Sequence, residues 1–385
     1  MKINGSVQSN YIKNNVKTEP RKNDNPRDGI SLNNRTSSLQ NKISRLRQLA
    51  FTSKVKDKKS YAPEGRYLWD SWILKDDTAD PPCYRLFHLD APDNGDPESR
   101  HHIASVRQAV STDLKNWKDL GPTLEPGKKG EWDDKAIWTG NVYKKENGEY
   151  LFFYTGRNER DDQIQRIGLA RSEDGINWKK EEKPILEPDG RWYETDEPSP
   201  IYKAWRDPEI VKDEKSGKYL MYFTAKTKDG DEKYKGCIGL AQADNLEGPY
   251  EALPPVLAPG KYAQMEVPQI IKRNDKVYLF FSSMEKDYNP EWADKIGGPQ
   301  CGLHAYVGDS LKGPFKPLNG DGVITGSKDN LYTVKFLEDP ENPDEFVAMG
   351  WYMEDKDGQK GFTLSKPLPV KWEGDNISIE TGMKE

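Results

Sequence analysis

Tyr150-Leu151-Phe152-Phe153-Tyr154 is a phrase that the chain repeats, with variations, four more times. The other copies are Tyr84-Arg85-Leu86-Phe87-His88, Tyr219-Leu220-Met221-Tyr222-Phe223, Tyr278-Leu279-Phe280-Phe281-Ser282 and Phe346-Val347-Ala348-Met349-Gly350, standing about 60 to 70 residues apart. Self-similarity at a long fixed period points to propeller blades, because one repeat alone cannot bury its faces. The surroundings repeat as well. A turn such as Glu146-Asn147-Gly148, Lys215-Ser216-Gly217 or Arg273-Asn274-Asp275 precedes the phrase, and a third apolar segment follows, opening at Ile103, Ile167, Ile238 or Leu303. Polar turns beginning at Asp113, Asp174, Asp244 or Asp309 then lead to an aromatic residue. Four short strands per repeat, joined by hairpin turns, predict an all-β, five-bladed β-propeller over residues 61–385. Helical periodicity is absent after Tyr61, which argues against an α/β fold.

Residues 1–60 read differently. They carry 14 Lys or Arg against 4 Asp or Glu, a net of +10, so the chain's total of −6 leaves the remainder at −16. Few aromatics and many Asn, Ser and Lys make this segment an expected disordered basic tail. Leu39, Ile43, Leu46 and Leu49 suit a short amphipathic helix between Ser38 and Phe51. An acidic body argues against a nucleic-acid partner, and no apolar run approaches a membrane span. Met1-Lys2-Ile3-Asn4-Gly5-Ser6 lacks the apolar core of a secretory signal, so the expected location is cytoplasmic. Three cysteines, Cys83, Cys237 and Cys301, show no metal-ligand spacing. His101 and His102 lack the spacing of a helical zinc pair, and the loop acids form no regular calcium loop. Neither a metal nor a cofactor is expected.

Trp, Tyr and Phe are abundant for a chain only 34% apolar. Strands with aromatic inner faces and wet outer faces give this mixture, as do sugar sites that stack rings on indoles. Upstream of the phrases stand Trp69-Asp70-Ser71-Trp72, Trp205-Arg206-Asp207-Pro208 and Met265-Glu266-Val267-Pro268. Innermost strands opening near Asp70, Thr139, Asp207, Glu266 and Tyr332 bring the three acids to one end of the central channel. Two carboxyl groups flanking an anomeric carbon suffice for glycosidic cleavage, and a third raises a neighbour's pKa or holds sugar hydroxyls. Arg206 is expected to keep Asp207 ionised. Glu266, between Met265 and Val267, is expected in an apolar setting that keeps it protonated. Trp69, Trp72 and Trp138 offer flat walls for a sugar ring.

Trp69-Asp70-Ser71-Trp72, Trp138-Thr139-Gly140, Arg206-Asp207-Pro208 and Glu266-Val267-Pro268 resemble, in order, the motifs of five-bladed fructan-active enzymes. Those are the levansucrases, inulosucrases and β-fructofuranosidases of glycoside hydrolase family 68 and its relative family 32. The resemblance covers Arg66 to about Gly361. It implies a retaining hydrolase or transglycosylase acting on β-fructofuranosides, with Asp70 as nucleophile, Asp207 as transition-state stabiliser and Glu266 as acid/base. Trp69, Trp138, Thr139, Arg206 and Tyr332 are then substrate-binding residues, with a carbohydrate as the partner. Two features depart from family 68. Val267 stands where an Arg usually follows the acid/base, and Ser282-Ser283-Met284-Glu285 stands where another Arg grips glucose. The chain also has no room for the β-sandwich that family 32 appends. Two alternatives remain at this level: an inverting pentosidase like those of family 43, and a non-catalytic carbohydrate-binding propeller.

Overall fold

The structure, a computed structural model, describes residues 11–12, 61–160, 164–195, 204–231, 233–354 and 360–381. Five antiparallel sheets follow one another along the chain. Blade 1 comprises Arg66–Asp76, Cys83–Pro92, Ser105–Ser111 and Lys118–Leu124. Blade 2 comprises Ala136–Lys145, Tyr150–Arg157, Arg166–Ser172 and Lys179–Lys180. Blade 3 comprises Trp205–Lys212, Tyr219–Lys226, Gly236–Ala243 and Glu251–Leu257. Glu266–Arg273, Lys276–Ser283, Gly302–Gly308 and Lys316–Pro317 form blade 4. In blade 5, Leu331–Glu338 and Phe346–Glu354 are followed by Lys360–Leu364, Leu368–Glu373 and Asn376–Ile379. The five-bladed propeller expected from the repeats is the fold.

Each aromatic phrase is the second strand of its blade. Tyr150–Arg157 and Tyr219–Lys226 are buried along their whole length. They have no wet face, contrary to the alternation expected, because a blade is packed on both sides by its neighbours. Apolar clusters fill the spaces between blades 2 and 3, 3 and 4, and 4 and 5, and a larger one joins blade 5 to blades 1 and 2. Hairpin chemistry matches the turns read from sequence. Asn274 and Asp275 both take positive φ, 49° and 60°, as a two-residue hairpin loop requires. Asp113 and Asp174 accept from main-chain N–H groups two and three residues ahead, closing their turns.

The ring closes where the main-chain N–H of Leu364 donates to Tyr61 O at 2.9 Å. Leu368–Glu373 and Asn376–Ile379 complete blade 5. One short α-helix, Pro290–Ile296, capped by Asn289, interrupts the all-strand pattern after Tyr61; seven residues are too few for a periodic signal. Among the described residues no helix is long and apolar enough to cross a membrane. Of residues 1–60, only Tyr11–Ile12 are described, paired in parallel with Lys144–Lys145. The expected disordered tail and its helix otherwise lie outside the described residues.

Candidate active site

Every innermost strand carries a β-bulge near its start. Pairing with the second strand skips after Trp69, Trp138, Arg206, Glu266 and Tyr332. A bulge bends a strand and re-aims its side chains, so five bulges at one level turn five blades toward a common point. Asp207, Val267 and Thr333 occupy the bulges with φ of 60°, 53° and 45°. Val267 and Thr333 are β-branched, for which the left-handed region is costly, so the conformation is imposed by its surroundings. Hydroxyls of the second strands supply that restraint. Thr155 Oγ1 accepts from Asp207 N at 3.0 Å, Thr224 Oγ1 from Val267 N at 3.3 Å, and Ser282 Oγ from Thr333 N at 3.1 Å. Each bond crosses from one blade to the next.

The register corrects one expectation. Asp70, Thr139, Asp207, Val267 and Thr333 are equivalent, and Glu266 lies one residue earlier, level with Trp69, Trp138, Arg206 and Tyr332. The three acids therefore do not share one strand position. They still meet, because the glutamate side chain is one methylene longer and starts one residue nearer the mouth.

Asp70, Asp207 and Glu266 all line one cavity of about 440 Å³, together with Trp69, Trp138, Thr139, Arg206 and Tyr332. Thr139 Oγ1 donates to Asp70 Oδ2 at 2.6 Å. Burial and then the charge of Asp207 push the Asp70 carboxyl up to about 7, against the opposing Thr139 hydrogen bond. Asp207 is buried; Oδ2 accepts from Thr224 Oγ1 at 2.8 Å and from Val267 N at 3.1 Å. Glu266 is held at both oxygens: Arg206 Nη2 donates to Oε1 at 2.7 Å and Tyr332 Oη to Oε2 at 2.5 Å.

Two electrostatic expectations change accordingly. Arg206 grips Glu266 more closely than Asp207, whose Oδ2 lies 3.5 Å from Nε. Burial raises the Asp207 carboxyl above its ordinary range, with Arg206 opposing. Glu266 sits among polar partners, not in the apolar setting its sequence neighbours suggested, since Met265 and Val267 are both buried in the blade. Trp72 is also elsewhere. It is packed against Phe87 and Phe152 between blades 1 and 2, so of the three expected walls Trp69 and Trp138 line the cavity, where Trp351 of blade 5 joins them.

Further residues of the cavity escaped the sequence reading. A 3-10 turn, Pro97–His102, lays His101 against the rings of Trp69 and Trp138, 5.9 Å from each centroid. Burial, then Arg100, lowers the His101 imidazole to about 3, so it is neutral. Arg100 lies 5.4 Å over the Trp69 ring. This turn is an insertion outside the repeat, which is why the periodic signal missed it. Gln264 accepts from Arg206 Nη2 at 2.9 Å, and its place two residues before Glu266 was a usable strand-alternation signal. Lys286 and Asp287 complete the rim from the loop after blade 4's second strand. Burial, then the charge of Glu266, raises Asp287 to about 6.

The arrangement pairs a carboxyl backed only by a hydroxyl with one gripped by two donors. The first is free to attack a carbon; the second has partners that stabilise its carboxylate after it gives up a proton. Convergence of the acids removes the ground for a propeller whose acids point away from the axis.

Comparison with known proteins bears on the family and the fold. The family described as glycosyl hydrolases family 32 N-terminal domain matches residues 83–360. A levansucrase from Rahnella aquatilis is 29% identical over 273 residues, 62% of this chain and 64% of that protein. An extracellular sucrase from Zymomonas mobilis is 26% identical over 300 residues, 68% of this chain and 71% of that one. The chain spans 58 to 64% of the length of the first curated relatives it matches. An inulosucrase from Halalkalicoccus jeotgali bound to kestose superposes with a TM-score of 0.69 at 25% identity, covering 85% of this chain and 93% of that one. Bacillus subtilis levansucrase, at 20% identity and a TM-score of 0.67, shares the fold.

Proposed function

Because the chain belongs to the family of glycosyl hydrolase family 32 N-terminal domains, we propose that it is a retaining glycoside hydrolase or transglycosylase of β-fructofuranosides. The observation that carries this reading is the meeting of Asp70, Asp207 and Glu266, from blades 1, 3 and 4, in one aromatic-walled cavity. The relatives' names, levansucrase, sucrase and inulosucrase, point to a fructosyl donor.

In this reading the Asp70 carboxylate attacks the anomeric carbon while Glu266 protonates the departing oxygen, leaving a fructosyl ester on Asp70. Glu266, now a carboxylate held by Arg206 and Tyr332, takes a proton from water or from a sugar hydroxyl. That oxygen attacks the same carbon and releases Asp70. Asp207, fixed by Thr224 and the Val267 amide, faces the positive charge that develops on the ring. Trp69 and Trp138 form its apolar walls. Where the glucose-gripping arginines of family 68 would stand, this chain offers Val267 and Met284, while the cavity's rim carries Arg100, Lys286 and Asp287. The leaving group is thus met by a different set of polar side chains.

Incubation with sucrose, raffinose, inulin, levan and nitrophenyl pentosides, with chromatography of the products, tests the reading. Fructose or fructosyl oligomers are the expected products. Pentose release without fructose would overturn it.

A further inference from the structure

Beneath the cavity, in the central channel, lies a buried ammonium for which the chemistry above has no use. Lys335 projects from blade 5's inner strand and is 7% exposed. Its Nζ donates to Pro268 O at 2.8 Å and approaches Val267 O at 3.5 Å. These carbonyls belong to the bulge that directly follows Glu266. Both of its hydrogen-bond acceptors are main-chain oxygens, so no carboxylate directly compensates the burial. Removing an ammonium from water without a bonded acid is costly, and such groups concentrate where a charge has work to do.

The joint between blades 4 and 5 as such does not depend on Lys335. Blades 4 and 5 are already joined one step lower, where Gln269 Oε1 accepts from Phe336 N at 2.9 Å and Nε2 donates to Phe336 O at 3.0 Å. Ser282 joins them one step higher. What Lys335 adds is a hold on the bulge itself, and positive charge on the floor of a site rich in acids. Burial depresses its pKa, and the charges of Glu209, Asp207 and Asp70 act against that. Glu209 is held by Asn141 on the far side of the channel. Around Asp70 the other facing groups are Asp207 and Arg206 of blade 3, Glu266 of blade 4, Tyr332 of blade 5 and Arg100 of the 3-10 turn. Arg206 is shared between Glu266 and Asp207.

We propose that Lys335 is a positioning residue of the site: its ammonium fixes the Val267–Pro268 bulge that aims Glu266, and its charge offsets those of Asp70 and Asp207 from below. The inference rests on the functional reading above only for its consequence in turnover. The charge itself can be tested without catalysis.

The test compares wild type, Lys335→Met and Lys335→Arg by infrared titration of the carboxyl band that disappears in Asp70→Asn. In Lys335→Met the Asp70 midpoint is expected to rise, while Lys335→Arg stays near wild type. With a fructosyl donor, kcat falls about tenfold or more in Lys335→Met with KM little changed, and the acidic limb of its pH profile moves up with the band. An unmoved Asp70 midpoint in Lys335→Met overturns the proposal. If Lys335→Met does not fold, Lys335→Gln gives the same readout. Should wild type act on no fructoside, the functional reading fails, and the infrared midpoint still decides the role of Lys335.

Discussion

At the scale of single residues, the site depends on two carboxyls with opposite surroundings. Asp70→Asn and Glu266→Gln are each expected to abolish turnover, and Asp207→Asn to cost several orders of magnitude in kcat; near-wild-type activity in either of the first two would falsify the assignment. A nucleophile must be ionised, so with the Asp70 carboxyl near 7 turnover should rise as pH increases through about 7. Stability carries the opposite sign. The Asp70 pKa is raised above its ordinary 3.8, so the folded state holds a proton that the unfolded chain has lost, and stability falls as pH climbs from about 4 to about 7. Asp70→Asn removes that loss. Its melting temperature should exceed wild type's by a margin that grows over this interval and then levels off, a trend that melting curves at half-unit pH steps will check. Asp70 and Glu266 were legible in the sequence because Trp and Pro mark them. Asp287 was not, because nothing local tells which side of the long connection between Ser283 and Gly302 folds back over a pocket.

At the scale of elements, the bulge is the device that turns a sheet edge into a site. Thr224 is its most connected support, donating to Asp207 Oδ2 and accepting from Val267 N. Thr224→Val keeps the volume but takes one partner from each of two buried groups, leaving Asp207 Oδ2 and Val267 N only their mutual bond at 3.1 Å, at a cost of roughly 1–3 kcal/mol. The expected result is a lower urea midpoint and a kcat reduced tenfold or more, with KM less affected; an unchanged kcat would show that the bulge holds itself. Strand identity and blade order could be read from periodicity, because buried second strands are long aromatic runs. The one-residue offset of Glu266 could not. Register depends on which residue of a bulge is skipped, and a skipped residue leaves no mark in a pattern of apolar letters.

At the scale of the whole molecule, the joints between blades are not alike. Blades 1 and 2 are joined by Asp76, fully buried, which accepts from Arg85 Nε at 2.7 Å, Lys144 Nζ at 2.5 Å and Tyr150 Oη at 2.6 Å. Asp76→Asn leaves two buried cations without an anion and should destabilise the fold by about 3–5 kcal/mol, measured by urea denaturation, with KM untouched. Buried hydroxyls cross the next three joints, from Thr155, Thr224 and Ser282. In blade 5 the corresponding place is taken by Trp351, which pairs with Tyr332 and has no hydroxyl to offer blade 1. That joint is held by the apolar cluster that runs through blades 5, 1 and 2, which includes Phe362 against Tyr67, together with the Leu364–Tyr61 bridge and the partly buried pair Lys75–Glu338 at 3.0 Å. The closure therefore leans on apolar packing where the three preceding joints carry a buried hydroxyl, and it runs through the pocket, with Tyr332 on one bank and Asp70 on the other. Urea weakens apolar burial, so the proposed activity is expected to be lost at a lower urea concentration than most of the circular dichroism.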